Sequence, residues 1–441
     1  MSNVRFLLFY IVNKCFRRNQ LIFLIDKYKK IQFSPKEDIV FCQKMHLVKL
    51  LEHARTNVNF YKQKIPKDYV ISERNVFEIL QLLPIIDKDS IRDNYNEFKA
   101  NNVDVKKVKK NSTSGSTGRS FHFLSYFNFH AQAIQYRIDD WIGKKPFDKE
   151  VKIWGAPFDI KKTKSKLSSI KLWFKRTKVL SGYNLSDQKI KEYLDFINKY
   201  KPAVLHSYPS TLFLLASFIE NHNYTIVPLK IKSAGEKLFN FQRDKIEKVF
   251  NTKIFDFYGA RDIPMIAQEC EVHDGLHVMM ENVYFEVVDE NSNPISEGEG
   301  EIVVTHLHNY AMPFIRYKIG DRAKISQREC QCGRKLQIVD EIIGRSFDII
   351  KFPNGNRVGG SFWTLVMRSD AYIKDFQVVQ LSDCNINILC TLFDNNSSPD
   401  FQRLKDNIKI YSGDKLEINF DIVDSIIPSK AGKRMFVISK K

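Results

Sequence analysis

The sequence predicts an α/β protein in two parts: a large amino-terminal domain of mixed sheets and helices with a β-rich section (residues 1–347), and a small α+β carboxy-terminal domain (residues 348–441). Three observations lead there. From 120 to 250, helical stretches alternate with short apolar runs such as "VKIWGAP", "PAVLHSYPS" and "LKIKSAGE", the mark of parallel strands linked by helices. From 253 to 345 strand-like segments dominate, among them "KIFDFYG", "VYFEVVD" and "EGEIVVTHL". Beyond Gly344 strand and helix alternate again in a tail long enough to hold its own core.

The remaining elements follow in chain order. The start, "VRFLLFYIVNKCFRRNQLIFLI", has apolar runs shorter than the roughly 20 residues a membrane span needs. Lys14, Arg17 and Arg18 interrupt it, and no small-residue cleavage site follows. An amphipathic helix fits better, packed on its own domain or touching a membrane surface. Residues 35 to 100 show apolar positions three and four apart, a helical region. In "LLPIIDKDSIRDN" a Pro-containing turn places Asp87 or Asp89 to cap the next helix.

The bulk properties exclude some classes. At 441 residues, 43% hydrophobic and 13% aromatic, the chain is globular and too long for one core. Its formal charge of +18 is densest between Lys144 and Lys178. A solvated lysine-rich surface, attraction of a phosphorylated cosubstrate and an anionic membrane surface all fit that charge. Nucleic acid does not, because no recognition motif accompanies it. The seven cysteines are odd in number and irregularly spaced, which argues against a disulfide framework and for the cytoplasm.

One segment raises the question of chemistry. "NSTSGSTGRSFHF" sets Ser112 to Gly118 in a row with no apolar side chain to hold a strand in a core. Its glycines permit positive φ and close backbone approach, and its amides and hydroxyls suit a polyphosphate. A flexible linker has the same composition.

Five further stretches follow in order: "SAGEKL", "FYGARD", "GEIVVT", "YKIGDRA" with "IIGRSFDII", and "IPSKAGKRM". Together with "STSGSTGR" they resemble the adenylate-forming (AMP-dependent) ligase superfamily. The resemblance is strongest to the phenylacetate–CoA ligase family and its relatives in capsular polysaccharide biosynthesis. The resemblance implies an adenylate-forming large domain and a mobile small lid. It also implies ATP-dependent conversion of a carboxylic acid to an acyl-adenylate. Transfer would follow to coenzyme A, or to a carrier or a sugar amine within surface-polysaccharide assembly. A non-catalytic nucleotide-binding protein of the same fold, or a membrane-peripheral assembly factor, is the alternative.

By the same resemblance, Ser114, Gly115, Ser116, Thr117 and Gly118 would cradle the β- and γ-phosphates, with Arg119 where relatives have lysine or proline. Ala234, Gly235 and Glu236 would border the adenine, Tyr258 would lie against it, and Gly259 would belong to the same nucleotide site. Asp262, where the family usually has glutamate, would hold Mg²⁺. Asp321 would accept both ribose hydroxyls, a task suited to two carboxylate oxygens. Arg345 would be a second ribose or phosphate contact, Asp348 the hinge, and Lys433 the catalytic lysine that reaches the α-phosphate. Trp154, His206 and Tyr208 would line the acid pocket, with His206 either orienting a carboxylate or serving a structural role. Cys270, Cys330 and Cys332, with His277 or His273, form a candidate Cys₃His zinc set, or else three buried reduced thiols.

Overall fold

The structure, a computed structural model, describes residues 19–104, 106–113, 121–154, 169, 172–182, 185, 187–345, 350–355, 357–358, 362–363, 366–367, 370, 372–393, 398–426 and 437–439. Helix α1 (Asn19–Ile31) buries Leu21, Ile22, Leu24, Ile25 and Tyr28 and leaves Phe23 exposed, an amphipathic face turned inward on its own domain. The helical region that follows is broken into pieces, chiefly α2 (Lys36–Asn57), α3 (Val76–Leu82) and α4 (Lys88–Asp93). Of the two candidate caps it is Asp87 that caps α4, accepting from the Ser90 amide at 2.8 Å.

Strands β1 (Lys109–Thr113) and β2 (Phe121–Ser125) form an antiparallel hairpin, a departure from the alternation expected after residue 120. Helix α5 (Phe129–Trp141) starts at Asn128, whose side chain accepts from the His130 and Ala131 amides. The alternation then holds. Strands β3 (Glu150–Trp154) and β4 (Thr177–Ser181), helix α6 (Asp187–Tyr200), β5 (Val204–Ser207) and α7 (Pro209–Asn221) are followed by β6 (Lys230–Ala234), α8 (Asn240–Phe250) and β7 (Ile254–Tyr258). These five strands run parallel, in the order β4-β3-β5-β6-β7. One face carries Val151, Ile153, Leu205, Ile231 and Ile254, all buried in one core with the apolar sides of α6, α7 and α8. Burial of each such side chain favours the fold by about 1.5–3 kcal/mol.

The strand-rich section is not a separate sheet. Strands β8 (Ala267–Glu269), β9 (Leu276–Val278), β10 (Val283–Val288), β11 (Pro294–Ile295), β12 (Gly298–His306), β13 (Tyr317–Ile325) and β14 (Ile338–Arg345) are antiparallel, and β8 pairs with β7. Parallel and antiparallel halves therefore make one twelve-stranded sheet. The amino-terminal helices lie against its antiparallel half and share its core. Gln43 Nε2 donates to the carbonyls of Met280 and Val283 at 3.0 and 2.8 Å, and the Tyr61 hydroxyl to that of Pro313 at 3.2 Å. Arg137 and Glu281 form a fully buried bidentate pair between α5 and the turn before β10.

The tail contributes β15 (Ile350–Lys351), β16 (Arg357–Val358), β17 (Ile373–Ser382), β18 (Asn385–Leu392), α9 (Phe401–Ser412), β19 (Glu417–Ile422) and β20 (Val437–Ser439). Its four-stranded sheet, β19-β18-β17-β20, closes around its own core of residues such as Trp363, Phe376, Ile388 and Leu404. Phe239, at the start of α8, meets this core, with ring centroids 6.5 Å from Phe362 and 6.4 Å from Tyr411. Among the described residues no helix is long and apolar enough to cross a membrane.

Candidate active site

The carboxyl ends of β3, β5, β6 and β7 deliver Trp154, Tyr208, Gly235 and Tyr258 to one edge of the parallel sheet. Ligands of open α/β sheets bind at such an edge. Trp154 and Tyr208 stack, with centroids 4.4 Å apart and planes 19° from parallel, and His206 lies 5.1 Å from Trp154. Gly235 is glycine for two reasons. Its φ of +84° is left-handed, and a Cβ there would sit 3.0 Å from the Tyr208 ring and 3.4 Å from Trp154. Ala234 is buried beside it. Glu236 accepts from the Ser210 amide at 3.1 Å, at the first turn of α7, and desolvation pushes its carboxyl up to about 7.

On the other side of this edge the Tyr258 hydroxyl donates to Asp321 Oδ2 at 2.8 Å. Asp321 stands opposite Arg345 across the β13–β14 ladder, so the residues expected at adenine and ribose are brought together by sheet register. Gly259 turns the chain away from β7. A Cβ there would lie 3.2 Å from the Met265 amide nitrogen and 3.2 Å from the Phe257 ring. Arg261 Nη1 donates to the Ser112 carbonyl at 3.1 Å, which holds the β1 end beside this turn.

Asp262, expected as a Mg²⁺ ligand, has protein partners in the fold. It is buried, its Oδ2 accepts from the Tyr317 hydroxyl at 2.5 Å, and the same oxygen lies 3.4 Å from Lys88 Nζ. Both contacts fall on Oδ2, and through them Asp262 ties the 258–262 turn to α4 and β13. Neither partner carried a signal in the sequence: Lys88 and Tyr317 sit inside quoted motifs, but only the fold brings them to this carboxylate.

The four expected metal ligands do converge. The donor atoms of Cys270, His277, Cys330 and Cys332 all lie within 4.8 Å of one another. Cys270 and Cys330 sulfurs are 3.7 Å apart, and Cys332 Sγ is 3.3 Å from His277 Nε2. A tetrahedron with metal–sulfur bonds of about 2.3 Å has sulfur–sulfur edges of about 3.8 Å, so the donor set fits a thiophilic cation. Burial pushes the Cys270 and Cys330 thiols up. At Cys332 hydrogen bonds from Arg334 outweigh burial and hold it below the usual thiol range. The fold also chooses between the histidines: His273 turns away at φ 57°, and its Nδ1 lies 3.2 Å from Glu269.

A second group, His46, His130 and His308, has ring nitrogens equally close, and no sequence signal pointed to it. His130 lies flat on His308 at 3.6 Å and 11°. Imidazole lone pairs lie in the ring plane, so two parallel rings at that spacing do not converge on one ion. Each ring also has another partner: Tyr28 for His130, Cys42 for His46 and the Glu281 carbonyl for His308. This is a packed polar core.

Ser114, Gly115, Ser116, Thr117, Gly118, Arg119, Asp348 and Lys433 lie outside the described residues, and Arg345 is described in its backbone alone.

The sequence profile of the CapK C-terminal domain matches residues 351–440. Over 440 residues the chain is 24% identical to protein CapK of Staphylococcus aureus, spanning 95% of this chain and 94% of that protein. It is 24% identical over 350 residues to the phenylacetate–coenzyme A ligase of Escherichia coli, 74% of this chain and 75% of that one. A crystal structure of 2-hydroxyisobutyryl-CoA ligase in the postadenylation state aligns over 90% of this chain and 89% of its own, with a TM-score of 0.62 and 18% identity. At that identity the likeness is one of fold.

Proposed function

We propose that this homologue of CapK and the phenylacetate–coenzyme A ligases, which has the fold of an adenylate-forming ligase, is an AMP-forming ligase. In its first step a carboxylic acid oxygen bonds to the α-phosphorus of ATP and pyrophosphate leaves. In the second, an acceptor attacks the acyl carbon and AMP leaves. The observation that supports this most is the Tyr258–Asp321 contact at the carboxyl edge of the sheet. It would fix an aromatic face for the base and a carboxylate for the ribose diol in one rigid pair. Trp154 and Tyr208 offer the flat wall on which the acid would lie. Coenzyme A is the acceptor the phenylacetate ligases suggest. The match to CapK over nearly the whole chain suggests work within surface-polysaccharide assembly.

ATP–pyrophosphate exchange with a panel of carboxylic acids tests the reading, and no exchange with any acid would sink it. The sequestered Asp262 favours one second reading, nucleotide binding without catalysis, which predicts ATP binding and no exchange. Asp321→Ala should weaken ATP binding by about 1.5–3 kcal/mol, the scale of a lost charge-assisted contact, with the fold intact. Titration calorimetry giving unchanged ATP affinity would reduce Asp321 to a partner of Tyr258.

Cys270, His277, Cys330 and Cys332 would hold a structural zinc ion, which would tie the turns around β9 to the segment before β14. Protein purified under reducing conditions without chelator should carry about one zinc per chain by elemental analysis. Cys332→Ser should lower the melting temperature more than it alters exchange. Metal-free protein of full stability would overturn this assignment.

A further inference from the structure

The parallel sheet has one apolar face and one that is not. Lys152, His206 and Lys232 are direct neighbours in the β3–β5–β6 register. Side chains alternate along a strand, so these three share a face with Trp154, Tyr208 and Ala234, two residues nearer the carboxyl edge. They form a layer about 6.6 Å beneath the stacked rings. Below them lies Glu150, 3.0 Å from Lys144 Nζ and 3.5 Å from Lys152 Nζ, while Asp139 is 2.9 Å from Lys144. Both carboxylates are thus engaged by Lys144 and Lys152.

Lys232 has no such partner. It is 3% exposed, and among the described residues its ammonium makes no hydrogen bond or ion pair. Its Nζ lies 4.4 Å from the centroid of the Phe257 ring, and the Asp139 and Glu150 carboxylates favour its charge without touching it. His206 presents a second open position: its Nδ1 is 3.7 Å from Glu150, and its Nε2, on the opposite side of the ring, is buried without a partner. A buried imidazole nitrogen without a partner is costly unless a ligand completes it, and the sheet register sets the Lys232 ammonium beside it. Burial lowers Lys232 to about 8, which leaves most of its charge in place near neutral pH.

We infer that Lys232 and His206 form the floor of the acid pocket and receive a second anionic group on the substrate, so that the acid activated is a diacid and not a plain alkyl or aryl acid. The inference rests on the ligase reading. Trp154 and Tyr208 would hold the middle of such a molecule while its reacting carboxylate faces the α-phosphate above.

The test measures kcat/KM in ATP–pyrophosphate exchange for dicarboxylates from malonate to adipate, each against the monocarboxylate of equal chain length. At one length or more the diacid should be favoured by about tenfold or more, the scale of a charge-assisted hydrogen bond. Lys232→Met should abolish that ratio and Lys232→Arg should retain much of it, with Lys232→Gln serving where Lys232→Met fails to fold. Monocarboxylates preferred at every length, or an unchanged ratio in the folded variant, would overturn the inference. If wild type exchanges with no acid, the ligase reading falls, and thermal melting with the same acids decides the floor alone. Stabilisation by a diacid that Lys232→Met removes would keep an anion site there, and no such stabilisation would end it.

Discussion

Replacing Lys433 by alanine is expected to slow acyl-adenylate formation by about a hundredfold or more, the scale of one lost electrostatic contact to a transition state. Transfer from a supplied acyl-adenylate should hardly change. Lys433 falls in sequence between β19 and β20, in "IPSKAGKRM", where Pro428 and Gly432 disfavour a helix. In the superfamily that the sequence resembles, the lysine of this segment reaches the acid carboxylate and the α-phosphate. Negative charge gathers on both groups as the new bond forms, and a flexible ammonium suits that task. Separating the half-reactions by rapid quench gives the answer. Equal losses in both, or loss in neither, would leave Lys433 as one more charge in a basic tail. Lys430→Ala is the control, since it removes a charge three residues away.

Acid should unfold this protein early. His46, His130, His306 and His308 are held far below the ordinary histidine value of 6.5, at about 3, 2, 3 and 4, by burial first and, for all but His308, by neighbouring basic groups second. His306 has no partner for either ring nitrogen among the described residues. In the fold all four stay neutral at pH 5.5, whereas in the unfolded chain most are protonated. A depressed histidine contributes stability above 6.5 and loses it as pH falls below that value. One pH unit below, each costs about 1.4 kcal/mol, and the four together about 6 kcal/mol. Domain stabilities are about 5–15 kcal/mol, so the effect is large. The melting temperature should fall steeply between pH 7 and 5.5, above the range in which ordinary carboxylates titrate. A flat profile across that window would mean that these rings are hydrated or already charged in the fold.

Much of the architecture was legible because apolar runs at strand spacing have few alternatives. "VKIW", "VLHS" and "KIKSA" lie on adjacent parallel strands because Val151, Ile153, Leu205 and Ile231 need one common core. In the same short runs these apolar residues alternate with Lys152, His206 and Lys232. Alternation usually means a solvated face, so a buried polar floor was invisible until α5 and Lys144 were seen to cover it. The Cys/His group was legible as residue types, but only register could choose His277, which pairs with Ile338 while His273 sits in a turn. The contacts of Asp262 could not be read from its motif, which is local. Its partners Lys88 and Tyr317 lie 174 and 55 residues away in the chain and reach it only through tertiary packing.

The long reach of the amino-terminal helices bears on how the chain is made. Gln43 finds its acceptors 237 and 240 residues later, Tyr61 252 residues later, and Arg334 donates back to Gln32 across 302. A ribosome adding about 5–20 residues per second needs roughly 10–50 s to deliver that part of the sheet. Through that interval Leu21, Leu24, Leu47 and Leu50 have emerged without the surface that will cover them. The carboxy-terminal unit, whose contacts are close in sequence, faces no such wait. Chaperone demand during synthesis therefore falls on the first hundred residues.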